Sequence, residues 1–198
     1  MRILRSYLAF LFVGVSACGA APEARSGADK LSVDRLYPLR AGSVWTYDVN
    51  TGQGLPVLAI TRVLRSQHGK IEVSSGGEPV VYEARPDGLY RPDRAGFVLK
   101  APIRKGAQWD AGGGARAEVV ETDKQIATVA GEFTGCVEVV ETGGAADKVV
   151  RTVFCPDVGP VEVESSVSLE ISGAARVLAQ LRGYDFTGVL AGPDGVAE

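Results

Sequence analysis

Between Gly131 and Glu164, a single antiparallel register meets three separate requirements. Cys136-Val137-Glu138-Val139-Val140-Glu141 runs outward, Thr142 to Asp147 makes a glycine-containing loop, and Lys148 to Cys155 returns. With Ala145 and Ala146 at the centre of the loop, Cys136 falls directly opposite Cys155. Val137 then faces Phe154, Val139 faces Thr152, and Glu138 lies diagonal to Arg151, within reach of a cross-strand ion pair. Side chains alternate with a period of two, so a one-residue slip would undo all of these pairings together. The stretch predicts a β-hairpin, and a chain built around it must supply further strands to bury its apolar face.

Those strands are legible as short alternating runs between turn signals. Val44 to Val49 places Trp45, Tyr47 and Val49 on one face and Thr46 and Asp48 on the other. Leu55–Leu64, Lys70–Val73, Pro79–Ala84 and Gly96–Lys100 follow, with turns at Ser66–Gly69 and Ser74–Gly77. Arg85-Pro86-Asp87-Gly88 and Arg91-Pro92-Asp93-Arg94 are tight turns around the short Leu89-Tyr90. Ala115–Glu121 and Gln125–Val129 read as paired strands about a turn at Thr122-Asp123-Lys124. Val161–Val167 alternates strongly, and Arg176–Phe186 fits a last strand, although Ala174–Leu181 also has good helix propensity. Leu31–Tyr37 predicts one helical turn, capped by Ser32 or Asp34 and ended by Pro38. Twenty-five glycines and the absence of long helical periods point the same way. The expected fold is all-β: about ten short antiparallel strands in a curved sheet, open barrel or sandwich, with one short helix.

The first eighteen residues carry a different kind of information. Arg2 and Arg5 precede the apolar core Tyr7–Val15, and small residues lead to a cysteine: Val15-Ser16-Ala17-Cys18. This is the layout of a secretory signal, with an apolar run too short to span a bilayer. Its end resembles the bacterial lipobox, with valine where leucine is more usual. The resemblance implies cleavage before Cys18 and lipidation of that residue, so that Cys18 anchors the chain in a membrane. An ordinary signal peptide cut after Ala17 is the alternative. By the same resemblance, Gly19 in place of an aspartate points to the outer membrane, facing the periplasm. The expected organisation is residues 1–17 as signal, 18–30 as lipidated cysteine and flexible tether, 31–187 as a single β-rich domain and 188–198 as a disordered tail.

Of the three cysteines, Cys136 and Cys155 then remain as a pair. An oxidising envelope makes a disulfide the expected state. Two buried thiols are the alternative. A redox-active pair is disfavoured, because there is no Cys-x-x-Cys spacing and no helix start to lower a thiol pKa.

The mature part resembles a group of uncharacterised β-rich bacterial envelope lipoproteins. Pro38-Leu39, Gly42 and Trp45-x-Tyr47 match the opening of that group. Gly131-x-Phe133, the hairpin and Pro156-Asp157-Val158-Gly159 match its second half. The cysteine pair is not part of the pattern. The resemblance implies a β-rich envelope lipoprotein and brings no established activity with it.

Tests for chemistry end differently. The net charge of −3 becomes −5 once the first seventeen residues are removed, and no basic cluster exists, which argues against nucleic acid. His68, the only histidine, sits in a polar turn, so no histidine-rich metal set can form. No Gly-x-Ser-x-Gly elbow is present, and Gly112-Gly113-Gly114 lacks the lysine of a phosphate loop. Glu138, Glu141, Glu162 and Glu164 alternate as solvated strand residues do. No catalytic residue, metal or cofactor is expected. Trp45, Tyr47, Tyr82 and Phe133 could line a ligand cleft, although such aromatics more often fill a core. The chain is expected to be a non-catalytic, lipid-anchored binding or interaction module for a partner protein or hydrophobic ligand. By analogy of class only, it is similar to the antiparallel half-barrels that carry lipids or lipoproteins in the envelope. A structural or assembly lipoprotein with a filled core is the alternative, and an envelope hydrolase is disfavoured. A large apolar cavity would favour the binding module.

Overall fold

The computed structural model describes residues 31–144, 148–169 and 173–187. Cys18, the signal, the tether, the 188–198 tail and the centre of the loop after Thr142 lie outside the described residues. The described chain is one helical turn, α1 (Val33–Leu36), and twelve strands: β1 (Val44–Asn50), β2 (Val57–Gln67), β3 (Lys70–Ser74), β4 (Val80–Arg85), β5 (Gly88–Arg91), β6 (Gly96–Lys100), β7 (Gln108–Gly112), β8 (Ala115–Thr128), β9 (Gly131–Gly143), β10 (Val149–Cys155), β11 (Gly159–Leu169) and β12 (Gly173–Asp185).

All twelve strands form one antiparallel sheet in the order β6-β5-β4-β3-β2-β1-β12-β11-β10-β9-β8-β7. Each strand pairs with its sequence neighbours, except that β6 does not pair with β7, and β1 pairs with β12 and so joins the two ends of the domain. The two edge strands, β6 and β7, are themselves consecutive and come together, so the sheet is a nearly closed barrel. The expected all-β fold holds, with two more strands than the sequence predicts. Closure is what an up-and-down sheet gains by hiding its edges.

At the seam, the Gly113 amide donates to the Arg94 carbonyl at 3.0 Å, and the Trp109 indole donates to the Phe97 carbonyl at 3.0 Å. Gly96 and Gly112 make this approach possible. A Cβ on Gly96 would lie 2.0 Å from the Ala111 carbonyl carbon, and one on Gly112 would lie 2.1 Å from the Arg94 carbonyl oxygen.

The hairpin of β9 and β10 adopts the expected register, with Val137 opposite Phe154, Val139 opposite Thr152, and Cys136 joined to Cys155 by a disulfide. Both faces of it are covered. Val137, Val139 and Phe154 pack with Leu36, Leu99 and Trp109, while Cys136, Val153 and Cys155 pack with Trp45, Val161 and Leu181.

Two local readings, of residues 115–128 and of Glu138, are corrected, and the strand expected near the C-terminal end is present. Residues 115–128 form one long strand rather than two. Thr122, Asp123 and Lys124 fall in a stretch of register shifts against β9, and the chain reverses only at Val129-Ala130. A turn-like composition here marks a bulged strand. Residues 174–181 are strand, because hydrogen bonding to β1 and β11 on both sides overrides helix propensity. Glu138 is not solvated: it is only 9% exposed and is held by Lys124 and Arg151.

Candidate functional site

The segment from Leu31 to Arg40 decides where the concave surfaces lie. Its helical turn is short, because Pro38 stops it and Ser32 contributes only its backbone carbonyl as a cap, not its side chain. It is held by its side chains instead. Leu36 is fully buried, which contributes about 1.5–3 kcal/mol. Tyr37 meets Trp45, Tyr82 and Phe154 with ring centroids 5.7, 6.3 and 5.9 Å away. Arg35 pairs with Asp157, its Nε donating at 2.9 Å, and the Arg35 carbonyl accepts from the Asp157 amide. The Arg35 hydrogen bond holds the Asp157 carboxyl below its usual pKa. Burial pushes the Tyr37 hydroxyl well above its usual value, so it stays protonated.

Two clefts flank this segment. The larger, about 570 Å³, is bounded by residues of 31–40 and by β3, β4, β5 and the loop after β6. Val33, Tyr37, Leu39, Ile71, Leu89 and Ile103 give it an apolar lining, and Asp34, Arg40 and Arg85 supply charge. Arg85 is already engaged: it donates to Glu83 and lies 3.4 Å from the Tyr90 ring centroid. Arg40 is exposed and makes no ion pair among the described residues. The second cleft, about 430 Å³, is lined by Leu31, Arg35, Thr122, Asp123, Thr134, Gly135 and Pro156. Leu31 lines both.

The four aromatics singled out from the sequence lie elsewhere. Trp45 is wholly buried, and its indole donates to the Val158 carbonyl at 2.7 Å. Tyr47 is buried beside it, and its hydroxyl donates to the Pro160 carbonyl at 2.9 Å. Between those two carbonyls Gly159 has φ +104°, and a Cβ there would stand 3.1 Å from the indole nitrogen. A side chain at residue 159 would therefore displace Trp45. Tyr82 packs on Tyr37, and Phe133 on Tyr184. None of the four lines either cleft. The residues that do were missed because 31–37 reads locally as one helical turn with no sign of what it packs against. The available signal was five large apolar residues at positions 31, 33, 36, 37 and 39, more than a solvated linker carries.

The strand carboxylates singled out from the sequence are engaged in pairs. Burial alone would raise the Glu138 pKa, but the hydrogen bonds and charges of Lys124 (2.6 Å) and Arg151 (3.3 Å) outweigh it and hold the carboxyl below its usual value. Glu141 pairs with Arg94 and Glu164 with Arg176, while Glu162 accepts from Gln180. His68 is exposed at the β2–β3 turn with φ 51°. Among the described residues, no three His, Cys, Asp or Glu side chains are grouped to hold a metal, and no helix is long and apolar enough to cross a membrane.

No known protein family matches the chain, and no curated protein matches it. Two solved structures are similar to it. One is named as an exported protein with YmcC-like fold from Bacteroides fragilis NCTC 9343. It is 15% identical with a TM-score of 0.46, and the match covers 76% of this chain and 98% of that one. The other is named as a lipoprotein from Parabacteroides distasonis ATCC 8503, 11% identical with a TM-score of 0.41, covering 78% of this chain and 100% of that one. Both likenesses are distant, and neither carries a function to this chain.

Proposed function

We propose that this chain is an envelope lipoprotein, anchored through Cys18 and facing the periplasm from the outer membrane, whose barrel is a non-catalytic module for binding a hydrophobic ligand or a partner protein. The observation that carries the reading is the cleft of about 570 Å³ beside residues 31–40, whose lining mixes apolar side chains with Asp34, Arg40 and Arg85. A barrel serving only as a structural or assembly element needs no such space, whereas small-molecule sites typically have about 300–1,000 Å³. The partner-protein side draws support from Leu55, Val57, Leu58 and Ile60, which are exposed together along the β1–β2 hairpin.

The protein isolated from its native envelope tests this. Radioactive palmitate should label the wild type and not Cys18→Ser, and mass spectrometry should find a bound lipid or partner. Ala84→Trp places a large side chain into the cleft from an exposed position and should remove a bound lipid. Continued labelling of Cys18→Ser would sink the anchor. Wild-type protein free of both ligand and partner would favour the structural lipoprotein.

A further inference from the structure

Resting on that reading, we infer that the cleft beside residues 31–40 takes the acyl chain of an anionic amphiphile from the membrane that holds Cys18, with Arg40 receiving the head group. Three observations converge on this occupant. The first is reach. Twelve residues separate Cys18 from Leu31, the first described residue and a member of the cleft wall. Even fully extended, that length of chain spans only about 45 Å, so the cleft works at the bilayer surface. The second is chemistry. Residues 19–30 include no Leu, Ile, Val, Met, Phe, Tyr or Trp, so they have no large apolar side chain with which to fill the cleft. Val33, Tyr37 and Ile103, partly exposed over the buried Leu39, Ile71 and Leu89, offer an apolar body from outside a surface on which to lie. The third is charge. The lining carries Arg40 and Arg85 against Asp34, and Arg85 is already committed to Glu83. Arg40, whose charge acts on Asp157 but which makes no ion pair among the described residues, is the cation available to a carboxylate or phosphate, to which a guanidinium makes charge-assisted hydrogen bonds. A concave space of this size suits a small amphiphile better than a protein surface, which buries about 800 Å² on each side.

The test uses the mature, lipidated protein in phosphatidylcholine vesicles. It is irradiated with diazirine-bearing palmitate or with the uncharged methyl ester of the same probe, and labelled peptides are mapped by mass spectrometry. The acid should label peptides containing Val33–Arg40 and Ala84–Leu89, and Ala84→Trp should remove that labelling. Lysophosphatidylglycerol should compete and inorganic phosphate should not. Arg40→Gln should weaken labelling by the acid about tenfold, the weight of one charge-assisted hydrogen bond, and leave the ester unchanged. Circular dichroism checks that both variants fold. Equal labelling by acid and ester, or an Arg40→Gln variant that still binds the acid, would overturn the head-group assignment while leaving a hydrophobic ligand in place. Competition by inorganic phosphate would overturn the acyl component. No labelling above the Ala84→Trp background by either probe would sink the inference and the ligand side of the proposed function together.

Discussion

Gly96→Ala adds a single methyl group, yet it should be among the most costly small substitutions in the barrel. The new Cβ would stand 2.0 Å from the carbonyl carbon of Ala111 and 2.1 Å from the amide nitrogen of Gly112, where real Cβ contacts essentially never fall under 3.0 Å. The atoms it meets are backbone, so no change of rotamer relieves the overlap, and β6 and β7 must part by about 1 Å. That movement strains the Gly113–Arg94 and Trp109–Phe97 hydrogen bonds, both 3.0 Å long. Two hydrogen bonds at about 1 kcal/mol each, together with an overpacking cost of about 1–3 kcal/mol, put the loss at about 3–5 kcal/mol. Gly113→Ala is the matched control. Residue 113 has φ +62°, and a methyl group there would meet nothing within 4 Å, so alanine costs only the left-handed backbone, about 1 kcal/mol. Urea unfolding of the two variants, followed by tryptophan fluorescence, separates these outcomes. Because Trp109 is 6% exposed at the seam, Gly96→Ala should also shift the native emission to the red. Equal midpoints for the two variants, with an unshifted spectrum, would refute the seam argument.

The Cys136–Cys155 bridge spans a sequence separation of 19, so reducing it should lower stability by about 3 kcal/mol through loop-closure entropy. A urea midpoint unmoved by dithiothreitol would count against this. Glu138 has a folded pKa below its unfolded one. Its contribution is therefore complete above the unfolded value, about 4.3, and is lost as pH falls through the folded value. Glu138→Gln should cost about 1–3 kcal/mol at neutral pH and flatten the acid limb of stability against pH, whereas an unchanged acid limb would exclude the Lys124–Glu138–Arg151 cluster as its source.

What could be read along the chain was whatever a local pattern determines. The β9–β10 register is legible because cysteines, valines and a charge pair each demand it within twenty residues. β1 is legible because Trp45, Tyr47 and Val49 alternate without interruption. β7 escaped notice because Gln-Trp-Asp-Ala-Gly offers one large apolar residue and a terminal glycine, and β5 because it is four residues between two turns. Thr122-Asp123-Lys124 has the composition of a turn, and only the partner strand shows it to be a bulge. Closure has no local signature. The pairing of β1 with β12 and the meeting of Gly96 with Gly112 join residues far apart or facing across a seam. The large cleft escapes for the same reason, since its walls come from 31–40, β3, β4, β5 and the loop after β6.

The position of residues 31–40 bears on how an anchored barrel would present its cleft. If the lead from Cys18 met the domain at a free loop, the barrel could turn about that point and the cleft would have no preferred direction. Here the lead runs into the core within a few residues. Val33 and Tyr37 pack against both hydrophobic clusters, Leu36 is fully buried, and Arg35 is tied to Asp157 through side chain and backbone. Releasing the segment would expose Leu36 and break the ring contacts of Tyr37, a cost of several kcal/mol. The segment is therefore a rigid part of the barrel, and the cleft keeps a set relation to Leu31, where the lead enters. Leu31 stands at that point and in the wall of both clefts, so in a chain anchored as proposed both clefts would lie where the lead from Cys18 enters the barrel.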